Sequence, residues 1–190
     1  AVGRVALQDG LPSFHATVLR ALPYERPEQL IRFQPEALFA TGVSGFAVLR
    51  QNAPAGLELA AYGRSLATFT GGAEPELVRG ATVSWNHFDL LGTRPLHGRV
   101  FAEGEGDAGR NKVVILGHGF WRRRFGGDPA IVGQSVEIRG EPWLVVGVMP
   151  STHQPLEPDW NFWRPLNLDP DADNGNAMAV IGRLSGDIGR

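Results

Sequence analysis

The sequence contains no cysteine in 190 residues. This absence excludes thiolate nucleophiles, cysteine-bound zinc, iron–sulfur clusters and disulfide bonds. An excess of charge of one sign is also lacking, because 18 basic and 20 acidic residues leave a net charge of −2. Nucleic acid and anionic membrane surfaces are therefore disfavoured as partners, since both attract proteins with a strong positive field.

Long apolar runs are absent as well. The most apolar stretches, Val113 to Leu116 and Leu144 to Met149, have the length of strands, whereas a membrane-spanning helix needs about 20 residues. The first residues do not form a secretory signal, because Gln8, Asp9 and Pro12 interrupt the apolar core that such a signal requires. We therefore expect the chain as given to be soluble, with any targeting segment outside it.

The motifs of nucleotide-binding loops and serine hydrolases are missing. The single lysine, Lys112, is not part of a Gly-Lys-Ser or Gly-Lys-Thr sequence, which excludes a Walker-type ATPase within this chain. Gly42-Val43-Ser44-Gly45-Phe46 lacks the final glycine of a nucleophile elbow, so we interpret Ser44 as a helix cap. The sequence assigns no catalytic residue and predicts that the chain is not an enzyme.

Metal ligands are not indicated either. No pair of histidines or of glutamate and histidine has the spacing that places two ligands on one helix face. The five histidines are His15, His87, His97, His118 and His153. Asp169, Asp171 and Asp173 alternate as in a calcium loop, but Asn174 and Val180 stand where glycine and glutamate are needed. We expect no metal and no cofactor.

Two charged clusters have ordinary structural interpretations. Glu103, Glu105 and Asp107 lie among glycines, which is typical of a solvated loop. The three arginines at 122–124 lie between Trp121 and Phe125, a pattern that could suit nucleic acid. We favour a solvent-facing helix surface beside an aromatic core stripe, because the rest of the chain is slightly acidic.

Hydrophobic periodicity predicts an α+β fold. We predict helices over Leu11 to Tyr24, Ser44 to Asn52, Asn86 to Gly92 and around Trp121 as far as Gly126-Gly127, with Ser44 and Asn86 as N-caps and with Phe46 and Leu49 facing inward. Asp128 is predicted to cap a single turn that begins at Pro129. Strands are predicted over Leu30 to Phe33, Leu57 to Tyr62, Ser65 to Thr70, Val78 to Val83, Arg110 to Leu116, Val136 to Ile138, Trp143 to Met149 and Ala179 to Leu184. A turn-rich tail from Pro155 to Asn176 contains an aromatic cluster of Trp160, Phe162 and Trp163. That cluster would either line a ligand groove or fill the space beneath an irregular loop.

Several segments, in order, resemble the MacB-like periplasmic core domain of ABC-type permeases, within the FtsX-like permease superfamily. The most specific segments are Val113-Val114-Ile115-Leu116, Trp121 to Pro129, Val132-Gly133-Gln134 and Val145 to Pro150. Others are Leu22-Pro23-Tyr24, Pro27 to Leu30, Val78-Arg79-Gly80-Ala81, Phe88 to Gly92 and Gly98-Arg99-Val100-Phe101. The resemblance covers Leu19 to Leu184 and is closest to duplicated or orphan bacterial permeases. Two departures are the polar segment Gly10 to His15, where the family carries an apolar membrane helix, and Gly117, where serine is usual.

This resemblance implies an exocytoplasmic, periplasmic domain of an integral membrane protein that takes part in export. It implies a lead-in helix or linker over residues 1–23 and a porter-like strand-helix-strand subdomain over 24–98 and 151–190. A strand-rich subdomain over 99–150 would be inserted between those parts. The implied partners are membrane helices of the same polypeptide, a second copy of the domain and a cytoplasmic ATPase, with no nucleic acid. Mechanical transmission, not catalysis, is the implied activity.

Two other hypotheses compete with this one. A free-standing extracytoplasmic module would bind a ligand or protein, and it predicts an apolar pocket beside Trp160 and Trp163. A hydrolase is a weaker hypothesis, because the sequence contains no recognisable pair of nucleophile and base.

Overall fold

The computed structural model describes residues 2–5, 14–18, 24–35, 42–72, 74–153, 155–156, 159–167 and 178–185. The described helices are α1 Val43–Gln51, α2 His87–Leu91 and α3 His118–Phe125, with single 3-10 turns at Pro27–Gln29 and Pro129–Ile131. The described strands are β1 Val2–Val5, β2 Phe14–Val18, β3 Leu30–Pro35, β4 Leu57–Phe69, β5 Glu76–Val83, β6 His97–Gly98, β7 Val113–Leu116, β8 Ser135–Ile138, β9 Glu141–Val148, β10 Phe162–Pro165 and β11 Ala179–Leu184. The predicted α+β class is confirmed, with strands predominating.

Six of the strands close into a small barrel. They pair in the order β4-β5-β10-β7-β9-β8, and β8 pairs in turn with β4. The closing contact is short: Phe69 lies opposite Ile138, and backbone hydrogen bonds join Thr70 N to Glu137 O at 2.9 Å and Arg139 N to Thr68 O at 2.8 Å. The narrow interior is filled by apolar side chains, including Phe69, Phe120 and Phe162. Helix α3 follows β7 directly and closes one end of the barrel.

The short strand β6 pairs with β9 of the barrel, and the four other strands extend the sheet from the other half of β4. Their order is β1-β2-β3-β11-β4, and neighbouring strands are antiparallel throughout. Helix α1 packs on one face of this part of the sheet through Phe46 and Leu49, both of which the sequence correctly predicted to face inward. A third core cluster on the opposite face of β4 includes Tyr62, Phe88 and Trp163.

Strand β4 joins the two halves. Its residues 57–62 pair with β11, and its residues 62–69 pair with β5, so the pairing changes strand at Tyr62. The sequence predicted two separate strands here, and that prediction is wrong. Gly63 and Arg64 interrupt the apolar pattern, but the continuous β5 ladder holds the backbone extended across them.

The predicted helix over Leu11 to Tyr24 is wrong where the structure describes this segment. Phe14–Val18 is strand β2, which pairs with both β1 and β3. Apolar residues at positions 14, 16 and 18 alternate with His15 and Thr17, a period of two that the helical spacing concealed. Strand β3 offers this segment a hydrogen-bonding partner along its edge, and this pairing favours the strand over the helix.

The predicted helix caps were partly wrong. Gly42, not Ser44, occupies the N-cap position of α1, and Ser44 lies exposed in the first turn. Asn86 does precede α2, but its side chain does not cap it. Gly92 ends α2 in the left-handed conformation with φ 68°, and Asp128 caps the turn at Pro129 by accepting from Ala130 N, both as predicted.

Buried polar groups hold Asn86 in its place. Its Nδ2 donates to Leu59 O at 3.0 Å and to Glu58 Oε1 at 2.9 Å, while its Oδ1 accepts from Ser84 Oγ at 2.9 Å. Ser84 Oγ also accepts from Ala61 N at 3.0 Å. These bonds tie the start of α2 to β4, which explains why this side chain is not available to the helix terminus.

The first and last described strands meet at one end of the sheet. Val2 of β1 lies opposite Thr17, and the neighbouring Val18 lies opposite Ile31. Leu30, beside Ile31, lies opposite Arg183. The start of β1 and the end of β11 therefore lie at the same end, and the barrel lies toward the opposite end of β4.

Candidate functional site

The barrel has an open mouth at the end opposite α3. Its floor is a row of register partners across three strands, in which Gly63 lies opposite Thr82 and Thr82 opposite Arg164. Asn111 and Trp143 complete the rim on the barrel side. Together with apolar side chains at the start of α1 and near β11, these residues enclose a cleft of about 210 Å³ between the two halves of the molecule.

Arg164 is the central polar residue of this cleft. It is half-buried, and its Nε donates to Thr82 Oγ1 at 3.2 Å. Burial, and secondly the positive charge of Arg139, hold the pKa of Arg164 below its ordinary value. Arg139 lies in the turn between β8 and β9, where its Nη2 donates to Leu66 O at 3.0 Å. Two cations therefore lie close together at the mouth.

Sequence reasoning missed this site. Arg164 lies in a tail whose turn-forming residues predicted irregular structure, but Phe162–Pro165 is strand β10 at the centre of the barrel. The run Phe162-Trp163-Arg164-Pro165 has the aromatic content typical of a strand, and that signal could have identified it. The site itself draws on seven separate segments of the chain and corresponds to no sequence motif.

The aromatic cluster of the tail is part of the core. Trp163 is 2% exposed and Trp160 is 7% exposed, and both belong to the cluster around Tyr62 and Phe88. Phe162 lies inside the barrel. A polar depression lined by Arg64, Arg79 and Asp159 touches the edge of Trp160. Of the two interpretations left open by the sequence, the structure favours filling of the core over an aromatic ligand groove.

Two of the histidines pack against Phe88: His87 is buried, and His153 is half-buried with its ring nitrogens shielded from solvent. The rings of His87 and His153 both contact Phe88, with centroids at 5.3 Å and 5.8 Å, and His153 also lies 5.2 Å from the ring of Trp163. Burial, and secondly the nearby His153, lower the pKa of His87 to about 3. Burial lowers the pKa of His153 to about 4. Both rings are neutral at physiological pH and serve as packing groups.

The acidic loop is held together by a salt bridge. Burial alone would raise the pKa of Glu105, but hydrogen bonds from Arg99 and from Ala102 N hold it below its ordinary value. Arg99 Nη1 donates to Glu105 Oε2 at 2.9 Å, and Ala102 N donates to the same oxygen at 2.8 Å. A carboxylate that is held ionised in this way is not suited to act as a general acid. This arrangement agrees with a structural loop.

The three arginines of α3 have different environments. Arg122 and Arg123 are exposed as predicted, and Arg123 pairs with Glu76 at 2.6 Å. The prediction that Arg124 faces solvent is wrong, since its side chain is only 13% exposed. Its Nη2 donates to Gly71 O at 2.6 Å and to Phe69 O at 3.1 Å. These carbonyls follow β4, where the chain turns towards β5, so Arg124 stabilises the barrel beside α3.

We expect Arg124→Ala to lower the free energy of unfolding by about 2 kcal/mol, because several carbonyls lose a charged hydrogen-bond donor. The matched control is Arg122→Ala on the same helix, at an exposed side chain, which should change it by less than about 0.5 kcal/mol. Urea unfolding of the two variants tests this difference. Equal effects would show that Arg124 does not hold the turn.

Within the described ranges, no three histidine, aspartate or glutamate side chains come together as a metal-binding group. The calcium-like run of Asp169, Asp171 and Asp173 lies outside the described residues. No helix in the described part of the chain has the length and apolar character needed to span a membrane.

Comparison with protein families matches residues 13–182 to the MacB-like periplasmic core domain. The chain belongs to this family. Members of the MacB-like family form the exocytoplasmic part of membrane ABC permeases that work with ATPase subunits, and this places the present domain outside the cytoplasmic membrane. No curated protein sequence matches the chain significantly.

Solved structures support the same fold. The periplasmic region of MacB from Actinobacillus actinomycetemcomitans matches with a TM-score of 0.58 and 17% identity, over 73% of this chain and 63% of that one. The extracellular domain of the noncanonic ABC-type transporter YknZ from Gram-positive bacteria gives 0.58 and 15%, over 78% and 76%. A domain of a permease protein from Porphyromonas gingivalis gives 0.53 and 15%, over 93% and 72%. The chain thus spans less than two thirds of the MacB region.

The residues that carry the MacB-like resemblance have structural roles here. Gly80 lies inside the barrel directly against Phe162, and Gly98 adopts φ 75° beside Val146. Gly126 ends α3 in the left-handed conformation with φ 66°. Gly117 occupies the N-cap position of α3, so this helix lacks a side-chain cap. In this MacB-like domain the signature therefore specifies turns and close packing.

Proposed function

We propose that this domain transmits conformational change from the membrane part of an ABC-type permease to a substrate or partner outside the membrane during export. The observation that carries this proposal is the course of the sheet. The start of β1 and the end of β11 lie at one end, and β4 continues from that end into the closed barrel. Its thirteen residues span up to about 40 Å.

The arrangement suits a domain held at one end. A closed barrel has no free strand edges and deforms less than an open sheet, so movement at one end of β4 would displace the barrel as a unit. Arg183 strengthens the held end, because its Nη2 donates to Glu25 O at 2.7 Å and so ties β11 to the segment preceding β3. The far end presents the turn at Gly71-Gly72, beside α3, to a partner.

The proposed partners are membrane helices of the same polypeptide, a cytoplasmic ATPase and a second copy of the domain. Catalysis is not part of the proposal. The division into residues 24–98 with 151–190 and 99–150 also remains a prediction. Limited proteolysis would test it by the position of the first cleavages.

Orientation can be tested with single cysteines, because the chain has none of its own. Ala55 is exposed beside the start of β4, and Glu137 is exposed on β8 at the barrel. Fluorophores on A55C and E137C are introduced into the permease that contains this chain, in liposomes whose lipid headgroups carry a nitroxide quencher. We expect much stronger quenching at position 55 than at 137, because the two positions lie at opposite ends of β4.

Transmission is tested by spin labels on E137C, with the ATPase present. We expect the distance distribution between labels in two copies to change on addition of ATP. An ATPase variant that cannot hydrolyse ATP serves as the control and should leave the distribution unchanged. Equal quenching at the two positions would contradict the orientation, and a distribution insensitive to ATP would contradict transmission.

A further inference from the structure

The open mouth of the barrel contains a positive charge for which the described residues provide no carboxylate partner. Among those residues, Arg164 bonds through Nε to the neutral hydroxyl of Thr82. Of the described residues that line the cleft, none is acidic, and Arg64 is a second arginine among them. Half-buried arginines are normally paired, because removing a cation from water without compensation is costly. The guanidinium is therefore positioned to bind an anion by donating hydrogen bonds to it.

Further hydrogen-bond donors surround it. Trp143 lines the same cleft, and its indole N–H is shielded from solvent and lacks an acceptor among the described residues. Buried indole N–H groups usually find an acceptor. Asn111 contributes an amide at the start of β7, and Arg139 adds positive charge from the neighbouring turn. The unpaired cation and the unpartnered indole are independent indications of a missing acceptor.

We propose that the mouth of the barrel is a binding site for a small oxyanion, a phosphate or carboxylate group carried by a small molecule, with Arg164 as its charged ligand and Trp143 and Asn111 as further donors. Arginine suits this role because its planar guanidinium can bind two oxygens at once. The apolar part of the lining, which includes Val43, Leu166 and Met178, suits a few attached carbon atoms. At about 210 Å³ the cleft is smaller than most drug-sized pockets.

This inference concerns the isolated chain and does not depend on the proposed transmission. The test uses the ¹⁵N-labelled 190-residue chain, titrated separately with inorganic phosphate, acetate and chloride at constant ionic strength. NMR follows the signals of the five tryptophan indoles. We expect the Trp143 indole to shift in a saturable way with phosphate or acetate and not with chloride. Preference for phosphate would indicate a phosphorylated ligand, and preference for acetate would indicate a carboxylate.

Variants assign the effect to the site. Arg164→Gln removes the charge while keeping most of the side-chain length, and it should weaken binding roughly tenfold or more, the effect of losing a charged hydrogen bond. Trp143→Phe should weaken it several-fold, and it provides a second test if the Arg164 variant is unstable. Arg122→Gln on α3 is the matched control and should bind like the original chain. Shifts that do not saturate, or that persist unchanged in both site variants, would overturn the proposal.

Discussion

Replacing Gly80 by alanine is expected to lower the free energy of unfolding by about 3 kcal/mol, the upper part of the range for overpacked cores. A Cβ at this position would lie 2.5 Å from Cδ1 of Phe162 and even closer to the backbone oxygen of Phe162. Neither group can move easily, because β10 is paired on both sides within the closed barrel. Urea unfolding monitored by tryptophan fluorescence measures the loss.

Gly119→Ala is the matched control, since the chemical change is the same. No atom lies within 4 Å of a Cβ added at Gly119, which is in the first turn of α3. We expect this variant to be as stable as the original chain or more stable by up to about 1 kcal/mol, because alanine favours the helix. Equal destabilisation by both variants would show that the barrel does not require glycine opposite Phe162.

Acidification is the second condition expected to have a large effect. The pKa values of His87 and His153 are about 3 and about 4 in the folded chain, against about 6.5 when unfolded. The folded chain favours the neutral form of both rings. Their contribution to the free energy of unfolding is therefore complete well above pH 6.5, and it is lost as the pH falls from there towards 4 for His153 and towards 3 for His87. Between pH 7.5 and pH 5.0 we expect each histidine to remove about 2 kcal/mol of stability.

Variants separate these histidines from the carboxylates, which also respond to acid. In His87→Phe the loss of stability between pH 7.5 and pH 5.0 should be smaller by about 2 kcal/mol, and His153→Phe should behave similarly. His118→Phe is the control, because His118 lies at the start of α3 and packs against Trp121, away from the Phe88 cluster, and it should retain the full loss. Urea unfolding at the two pH values measures this. If the loss of stability between the two pH values is unchanged in both variants, protonation of these two rings is not its cause.

Local patterns predicted much of the fold because they depend on neighbouring residues. The hairpin of β8 and β9 follows from alternating residues around a glycine turn, and Arg139 and Gly140 indeed both adopt positive φ, at 53° and 78°. The end of α2 at Gly92 and the cap at Asp128 are equally local. Where a segment's partners are distant in the sequence, as for β10, which pairs with β5 and β7, the same reasoning failed.

The candidate site was beyond sequence reasoning for a related physical reason. Thr82 and Arg164 are 82 residues apart and become neighbours only through the parallel pairing of β5 and β10. Neither residue belongs to a motif, since a cation at the mouth of a barrel needs no fixed spacing along the chain. For the same reason the sequence could not distinguish the exposed Arg122 from the half-buried Arg124. The difference arises only because the β4–β5 turn lies beside Arg124 in the folded chain.

By itself the sequence determined the α+β class, the absence of thiol and Walker chemistry, and, through its resemblance, membership of the MacB-like family. These properties follow from composition and from glycines, prolines and apolar runs that act within a few residues. The tertiary structure alone decided that β8 closes a barrel against β4, that Trp160 and Trp163 are core residues, and that Arg164 lies at an open mouth with no carboxylate partner among the described residues. Each of these depends on which distant strands pair, and pairing is decided by the burial of whole faces of the sheet.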